Sequence, residues 1–434
     1  MILHPHFDVN EQGHLTIGGA DAVALAREFG TPAYILDENA IRACCRTYLN
    51  AARTHFGADA LPLYASKALS FTGIYKIVAE EGLGIDCVSG GELYTAQNAG
   101  FPAERIYFHG NNKTDADLNQ ALDMGVGRIV VDGEEELAAL DALARARGRV
   151  QDILLRITPG IDPHTHRAIM TGNVDSKFGN AIKTGQALRI TRLALACTGV
   201  RLLGFHCHIG SQIFDVEPFR DAAGIMLKFI ADVKSATGFE AAELNLGGGL
   251  GVRYTEDDRH VDYAAAIAEI AAIVREGARK AGVKMPRVVL EPGRSLVAAA
   301  GATLYTVGSV KEIPGFRNYV SVDGGMPDNP RYALYQSRYT VLIADRAAAP
   351  KDYLATVAGR CCESGDLIGE GMPLQTPHRG DVLAVLCTGA YNYAMASNYN
   401  RLPRPPGILV RDGAARVAVR RERSEDLVRL DETE

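Results

Sequence analysis

Leu61-Pro62-Leu63-Tyr64-Ala65-Ser66-Lys67 is a short apolar run that stops on small and polar residues, and the chain keeps returning to that texture. Further runs of the same kind stand at residues 84–88, 105–108, 128–131, 152–157, 202–206, 243–246 and 287–290. Between them lie segments with Ala, Leu and Glu at helical spacing, clearest over 134–147, 216–234 and 263–281. Strands alternating with helices predict parallel βαβ units. Eight such units are what a (β/α)8 barrel needs, so the expected fold class is α/β with a TIM-type barrel. The same pattern also allows an open doubly wound sheet.

Outward from the barrel the texture changes. After Arg294 the chain reads as strands separated by turn signals, at 302–310, 319–322, 353–359 and 381–387. A mostly β C-terminal domain follows from this, and the strand-like stretch 33–36 is expected to join it. The expected division is 1–36 for the joining segment, 37–286 for the barrel and 287–434 for the β domain. Residues 420–434 alternate in charge sign and read as a solvated helix or frayed end.

With 434 residues, 47% of them hydrophobic and 23% charged, the composition is globular. The net charge of −6 comes without a dense basic tract, which argues against nucleic acid as a partner. No window approaches the roughly 18 uninterrupted apolar residues of a membrane span. The 8 cysteines form no C-x-x-C pair, and the first residues lack the layout of a signal peptide, so a reduced, cytoplasmic chain is expected.

Barrel enzymes carry their chemistry at the C-terminal ends of the strands. Read in that order, the strand ends offer Lys67, Asp86, His109, Asp132, Arg156, His206 and His208, the run Gly247-Gly248-Gly249-Leu250-Gly251, and Glu291-Pro292-Gly293-Arg294. Each has a plain reading: a solvated lysine, a tight turn, a core histidine, a turn acid. Together they suggest more. A glycine run between strand and helix offers free N–H groups and no Cβ, which suits a phosphate. His206 and His208 alternate toward one face, where a metal pair or a ring packed on a planar cofactor are both conceivable; His164-x-His166 offers a second metal pair. Neither pair has a third ligand at a typical spacing, so no metal is expected. A lysine, a phosphate cradle, a flat ring and a carboxylate suggest pyridoxal phosphate. The acid at 291 would keep the pyridine nitrogen protonated, which favours decarboxylation over racemisation.

The motifs Tyr64-Ala65-Ser66-Lys67, Ser89-Gly90-Gly91-Glu92-Leu93, His206-Cys207-His208-Ile209-Gly210-Ser211-Gln212, the glycine run, Glu291-Pro292-Gly293-Arg294, Cys362-Glu363-Ser364-Gly365-Asp366 and Gly389-Ala390-Tyr391 occur in a telling order. Across residues 32–402 the chain resembles the barrel-type, fold type III pyridoxal-phosphate-dependent decarboxylases, and within them the diaminopimelate decarboxylase branch. The stretch from Thr171-Gly172 to Ser176-Lys177-Phe178-Gly179 resembles that branch in particular. The resemblance implies Lys67 as the Schiff-base lysine and His208 as the residue stacked on the ring. It places Glu291 on the ring nitrogen and Ser211, Gly247, Gly248, Gly249, Arg294 and Tyr391 about the phosphate, with Asp86 and Gly293 in the same cofactor set. Cys362 matches the proton donor, and Cys362 with Glu363 would reach the partner's site in a homodimer. Arg331, Tyr335 and Arg294 match a clamp for the substrate's distal carboxylate, Glu363 the acceptor of its distal ammonium, and Tyr391 also faces substrate. The implied reaction is decarboxylation of meso-2,6-diaminopimelate to L-lysine, a step of lysine biosynthesis. Family departures stand at Leu69, Tyr332, Gln336 and Asn392. The rival readings are an ornithine, arginine or carboxynorspermidine decarboxylase, a non-catalytic pyridoxal-phosphate-binding protein, and a metal-dependent barrel hydrolase.

Overall fold

Residues 3–161 and 175–432 are described by a computed structural model. His164, His166, Thr171 and Gly172 lie outside the described residues, and with them the second metal pair and the first four positions, 171–174, of the branch-specific stretch.

The chain forms two compact units, Cys44–Gly251 with His260–Gly293, and Met1–Ala43 with Val252–Arg259 and Arg294–Glu434. In the first, the strands hydrogen-bond in the order Gln151–Thr158, Val200–His206, Glu243–Asn245, Arg287–Leu290, Leu61–Ala65, Gly84–Cys87, Ile106–Phe108 and Arg128–Val131. The last pairs with Gln151–Thr158 again, so the sheet closes, and every pair in the ring is parallel. The open-sheet alternative falls on this closure. Leu61, Leu63, Tyr107, Val130, Leu154 and Val289 fill the interior as a packed apolar cluster.

Closure also corrects a boundary. Arg287–Leu290 hydrogen-bonds between the seventh and first strands, so residues 287–293 belong to the barrel and not to the β domain. Residues 37–43 go the other way: Glu38 pairs with Arg416 at 2.7 Å and Arg411 at 3.5 Å, which ties them to the β unit.

The helices follow their apolar spacing. Tyr263–Ala281 buries Ile267, Ile270, Ala271, Val274 and Ala278. Asp262 caps its N-terminus by accepting from the Ala265 N–H, and Gly282 ends it at φ 66°. At the N-terminal end of the barrel, buried Glu243 accepts from the Tyr107 hydroxyl at 2.7 Å and from Arg287 at 3.1 Å. A buried carboxylate must be paired, and this network does that on the face away from the strand C-termini.

In the second unit the long strand Gly301–Ile313 is the spine. Its first half pairs antiparallel with Ala33–Asp37 and with Val382–Leu386, its second half with Arg317–Val322. The N-terminal strand thus joins the β unit as expected. Strands Val341–Ile343, Leu367–Leu374, Gly407–Arg411 and Ala414–Val419 were not legible in the sequence. The charged tail holds one short helix, Ser424–Val428. Among the described residues no helix is long and apolar enough to cross a membrane.

Candidate active site

Lys67 sits in the turn Ser66–Ala68 that directly follows the first barrel strand. It is exposed, and no hydrogen bond or ion pair holds its ammonium among the described residues. The turn itself is held from the side. The Glu92 carboxylate accepts from the Ser66 hydroxyl and, at 2.7 Å, from the Val88 N–H. Glu92 lies in the first turn of Gly90–Ala99, whose N-terminus is capped by Ser89. The motif Ser89-Gly90-Gly91-Glu92 is therefore a helix start whose acid braces the lysine turn.

At the same end of the barrel the ends of the second, third, sixth, seventh and eighth strands bring four polar side chains around Glu291. Asn245 Nδ2 donates to Glu291 Oε1 at 2.7 Å, and His206 Nε2 meets Oε2 at 3.1 Å. His109 Nε2 stands 2.8 Å from Oε1 and 3.7 Å from Asp86 Oδ1. All five residues are buried. Burial opposes the charge of Glu291, but His109 and His206 outweigh it and hold its carboxyl well below the usual range. Asp86 shows the reverse balance: burial pushes it up to about 7, with His109 and Lys67 pulling it down only part of the way. His206 is pushed down to about 4, chiefly by burial, so it is a neutral ring. His208 is lowered as well, by burial and then by the nearby Lys67 and Arg156 charges.

His109, His206 and Glu291 offer ligand atoms within 4.8 Å of one another, the geometry from which a metal centre could be built. The atoms touch each other instead. Two zinc ligands at about 2.0–2.1 Å from a tetrahedral ion lie roughly 3.3 Å apart. Here His206 Nε2 hydrogen-bonds Glu291 Oε2 at 3.1 Å, and His109 Nε2 stands 2.8 Å from Oε1, both closer than that spacing. His206 turns to Glu291, while His208 lies beside the glycine run.

The glycine run has no room for side chains. A Cβ on Gly248 would lie 2.0 Å from the Glu291 carbonyl oxygen, and one on Gly247, at φ 70°, would lie 2.8 Å from His208 Nδ1. The Gly247 N–H donates to Asn245 Oδ1 at 2.9 Å. The N–H groups of half-buried Gly248 and Gly249 have no acceptor among the described residues. The run is tied to the loop of Ser211 by the Ile213 N–H, which donates to the Gly249 carbonyl at 2.9 Å. Gly293 lies against Ala65, where a Cβ would approach within 2.9 Å of the Ala65 Cβ. These residues fit pyridoxal phosphate: two unclaimed N–H groups for the phosphate, an unclaimed amine, and an ionised acid for the ring nitrogen.

The β unit gathers the other candidates into two groups. Arg294, buried, donates to the Tyr254 hydroxyl at 2.9 Å and lies 4.7 Å from the centre of the Tyr391 ring. Arg331, also buried, lies 5.4 Å from the same ring and 5.2 Å from that of Tyr335. Its Nη2 donates to the Ser337 hydroxyl at 3.3 Å, its Nε has no partner, and no carboxylate pairs with it among the described residues. Tyr391 adopts φ 59°, a conformation uncommon for a non-glycine. Its neighbour Asn392 holds that turn by donating to the Thr388 carbonyl at 3.1 Å, which gives this departure from the family a structural reason. Tyr332 and Gln336, the other departures near Arg331, turn to Glu370 and to the Tyr332 carbonyl.

Cys362 and Glu363 form the second group, in an exposed turn. Buried Asp366 shapes it by accepting from the Cys361 N–H at 2.7 Å and the Met326 N–H at 2.6 Å. The two adjacent thiols differ. Cys361 is half-buried and pushed up to about 12 by burial and by Asp366, whereas Cys362 is exposed with its N–H on Asn400 Oδ1 at 2.7 Å.

Asn245, Glu92 and Tyr254 carry no role in the sequence reading, and His109 and His206 carry none toward Glu291. His109, His206 and Asn245 close or follow barrel strands, so the strand-end rule points to them. Which carboxylate they meet across the barrel is a matter of closure.

The family described as pyridoxal-dependent decarboxylase, pyridoxal binding domain, matches residues 42–298. The diaminopimelate decarboxylase of Bacillus subtilis is 49% identical over 431 residues, covering 99% of this chain and 98% of its own. That of Staphylococcus aureus is 42% identical, over 96% of this chain and 98% of its own. Among solved structures, the diaminopimelate decarboxylase of M. jannaschii is similar with a TM-score of 0.92 at 33% identity, over 100% of this chain and 99% of its own. That of Helicobacter pylori, in complex with L-lysine, gives 0.86 at 31% identity, over 95% of this chain and 99% of its own. The chain belongs to the pyridoxal-dependent decarboxylases, in the diaminopimelate decarboxylase family.

Proposed function

We propose that the chain decarboxylates meso-2,6-diaminopimelate to L-lysine and carbon dioxide, the closing reaction of lysine biosynthesis, with the roles divided as follows. When bound, pyridoxal phosphate supplies an electron sink for the pair of electrons left by the departing carboxylate. Lys67 holds the cofactor, its amine being free of any protein partner among the described residues. The Gly247–Gly249 run and Ser211 bind the phosphate, with Arg294 and Tyr391 near it. His208 stacks on the ring, Glu291 accepts the ring N–H, and Asp86 and Gly293 line the same pocket of the barrel. Cys362 delivers the proton that replaces the lost carboxylate, and its exposure supports action in the site of a partner subunit. A homodimer working in the cytoplasm is part of this reading.

The observation that carries substrate choice is Arg331. It is a buried guanidinium flanked by two tyrosine rings and, among the described residues, left without a carboxylate. Meso-diaminopimelate brings a distal carboxylate to it, and Glu363 would accept the distal ammonium. Ornithine has no such group and would leave the guanidinium unpaired, at a cost of roughly 1–3 kcal/mol or more. Arg331→Leu is expected to raise KM for meso-diaminopimelate by roughly 10- to 100-fold, the worth of one charged hydrogen-bonded pair, without changing affinity for pyridoxal phosphate. An unchanged KM would remove Arg331 from the substrate site.

A further inference from the structure

Resting on the reading that Glu291 meets the cofactor's ring nitrogen, we propose that His206 and Asn245, with His109 across from them, are positioning residues that orient the Glu291 carboxylate and leave it one open acceptor position for the ring N–H. A carboxylate offers about four acceptor positions. Asn245 Nδ2 takes one on Oε1 at 2.7 Å, and His206 Nε2 takes one on Oε2 at 3.1 Å. His109 Nε2 crowds Oε1 at 2.8 Å. No lysine or arginine forms an ion pair with Glu291 among the described residues, so its orientation rests on imidazole and amide groups. A carboxylate can only accept, so the His206 nitrogen facing it carries the hydrogen. A neutral donor fixes direction without cancelling the charge, and the full charge stays available to the ring N–H.

Asn245 has a second duty that His206 lacks. Its Oδ1 accepts from the Gly247 N–H at 2.9 Å, so one buried amide joins the acid to the glycine run. Replacing Asn245 would disturb both ends of the cofactor at once. Among the described residues the His206 ring meets the acid end, through Glu291 and an edge contact to His109 with ring centres 4.8 Å apart. His206 is therefore the discriminating site.

The test measures the affinity of the cofactor-free full chain for two probes: pyridoxal phosphate, and its analogue in which the ring nitrogen is replaced by C–H. The wild type is expected to bind the first more tightly, by roughly tenfold or more, because only that ring can donate to Glu291. His206→Leu should shrink this ratio several-fold while leaving affinity for the analogue near the wild-type value, which also shows that the site is folded. His206→Gln, which restores an N–H donor, should restore most of the ratio. A His206→Leu ratio equal to the wild type's, with or without a common loss of affinity for both probes, overturns the proposal and leaves Glu291 at the ring nitrogen. A wild type that does not distinguish the probes overturns the Glu291 reading, and the positioning role with it.

Discussion

Two buried carboxylates that share His109 as a neighbour are driven in opposite directions. Glu291 is held down by the His109 and His206 imidazoles against its burial, whereas Asp86, with only a 3.7 Å approach from His109, is pushed up to about 7 by burial. Its consequence for stability has a definite sign. An acid whose folded pKa exceeds its unfolded value near 3.8 stabilises the fold while protonated, and that stability is lost as pH rises. Without cofactor, Asp86→Asn is expected to gain melting temperature over the wild type as pH rises from about 4 to 7, the gain levelling off above 7. Parallel melting curves would check this, and a gain independent of pH would contradict it. Asp86, His206 and Glu291 are visible in the sequence as strand-end residues, but their charge states are not. Those depend on which side chains meet across a barrel closed by strands some 200 residues apart, a contact that no local pattern encodes.

The strands of the barrel are legible because a parallel sheet covered on both faces reads as short continuous apolar runs. Gly84–Cys87 and Arg287–Leu290 are found nearly to the residue for that reason. Val341–Ile343 and Gly407–Arg411 are just such runs, too short to stand out, whereas the other two missed strands lack the signature. Leu367–Leu374 is interrupted by Gly369, Gly371 and Pro373, and Ala414–Val419 is an edge strand whose residues are exposed or half-buried. The glycine run is legible as an element, yet the reason for each glycine is a matter of distance. Gly248→Ala would drive a Cβ into the Glu291 carbonyl. Reconstitution titrations are expected to show at least about tenfold weaker pyridoxal phosphate binding, in line with an overpacking cost of roughly 1–3 kcal/mol. Gly282→Ala is the control. It has φ 66° at a helix end and nothing within 4 Å, so the change should lower stability by about 1 kcal/mol and leave cofactor affinity alone. Equal losses of affinity in the two variants would remove the special role of the run.

At the scale of the whole molecule, sequence order separates Lys67 from Cys362 and Glu363, and the two groups lie in different compact units. The proposed homodimer makes a direct prediction from that separation. Lys67→Ala and Cys362→Ala should each be inactive or nearly so as pure preparations. Mixed, allowed to exchange subunits and supplied with pyridoxal phosphate, they should recover up to about a quarter of wild-type activity, because random pairing gives half heterodimers with one intact site each. No recovery, with exchange verified by mass, would mean that each subunit uses its own Cys362. The decisive measurement is carbon dioxide release by the pyridoxal-phosphate-loaded chain, with meso-diaminopimelate, ornithine and arginine offered side by side. Release from meso-diaminopimelate with stoichiometric L-lysine is expected, and little from the other two. Turnover of ornithine or arginine in preference to meso-diaminopimelate would contradict the proposed function.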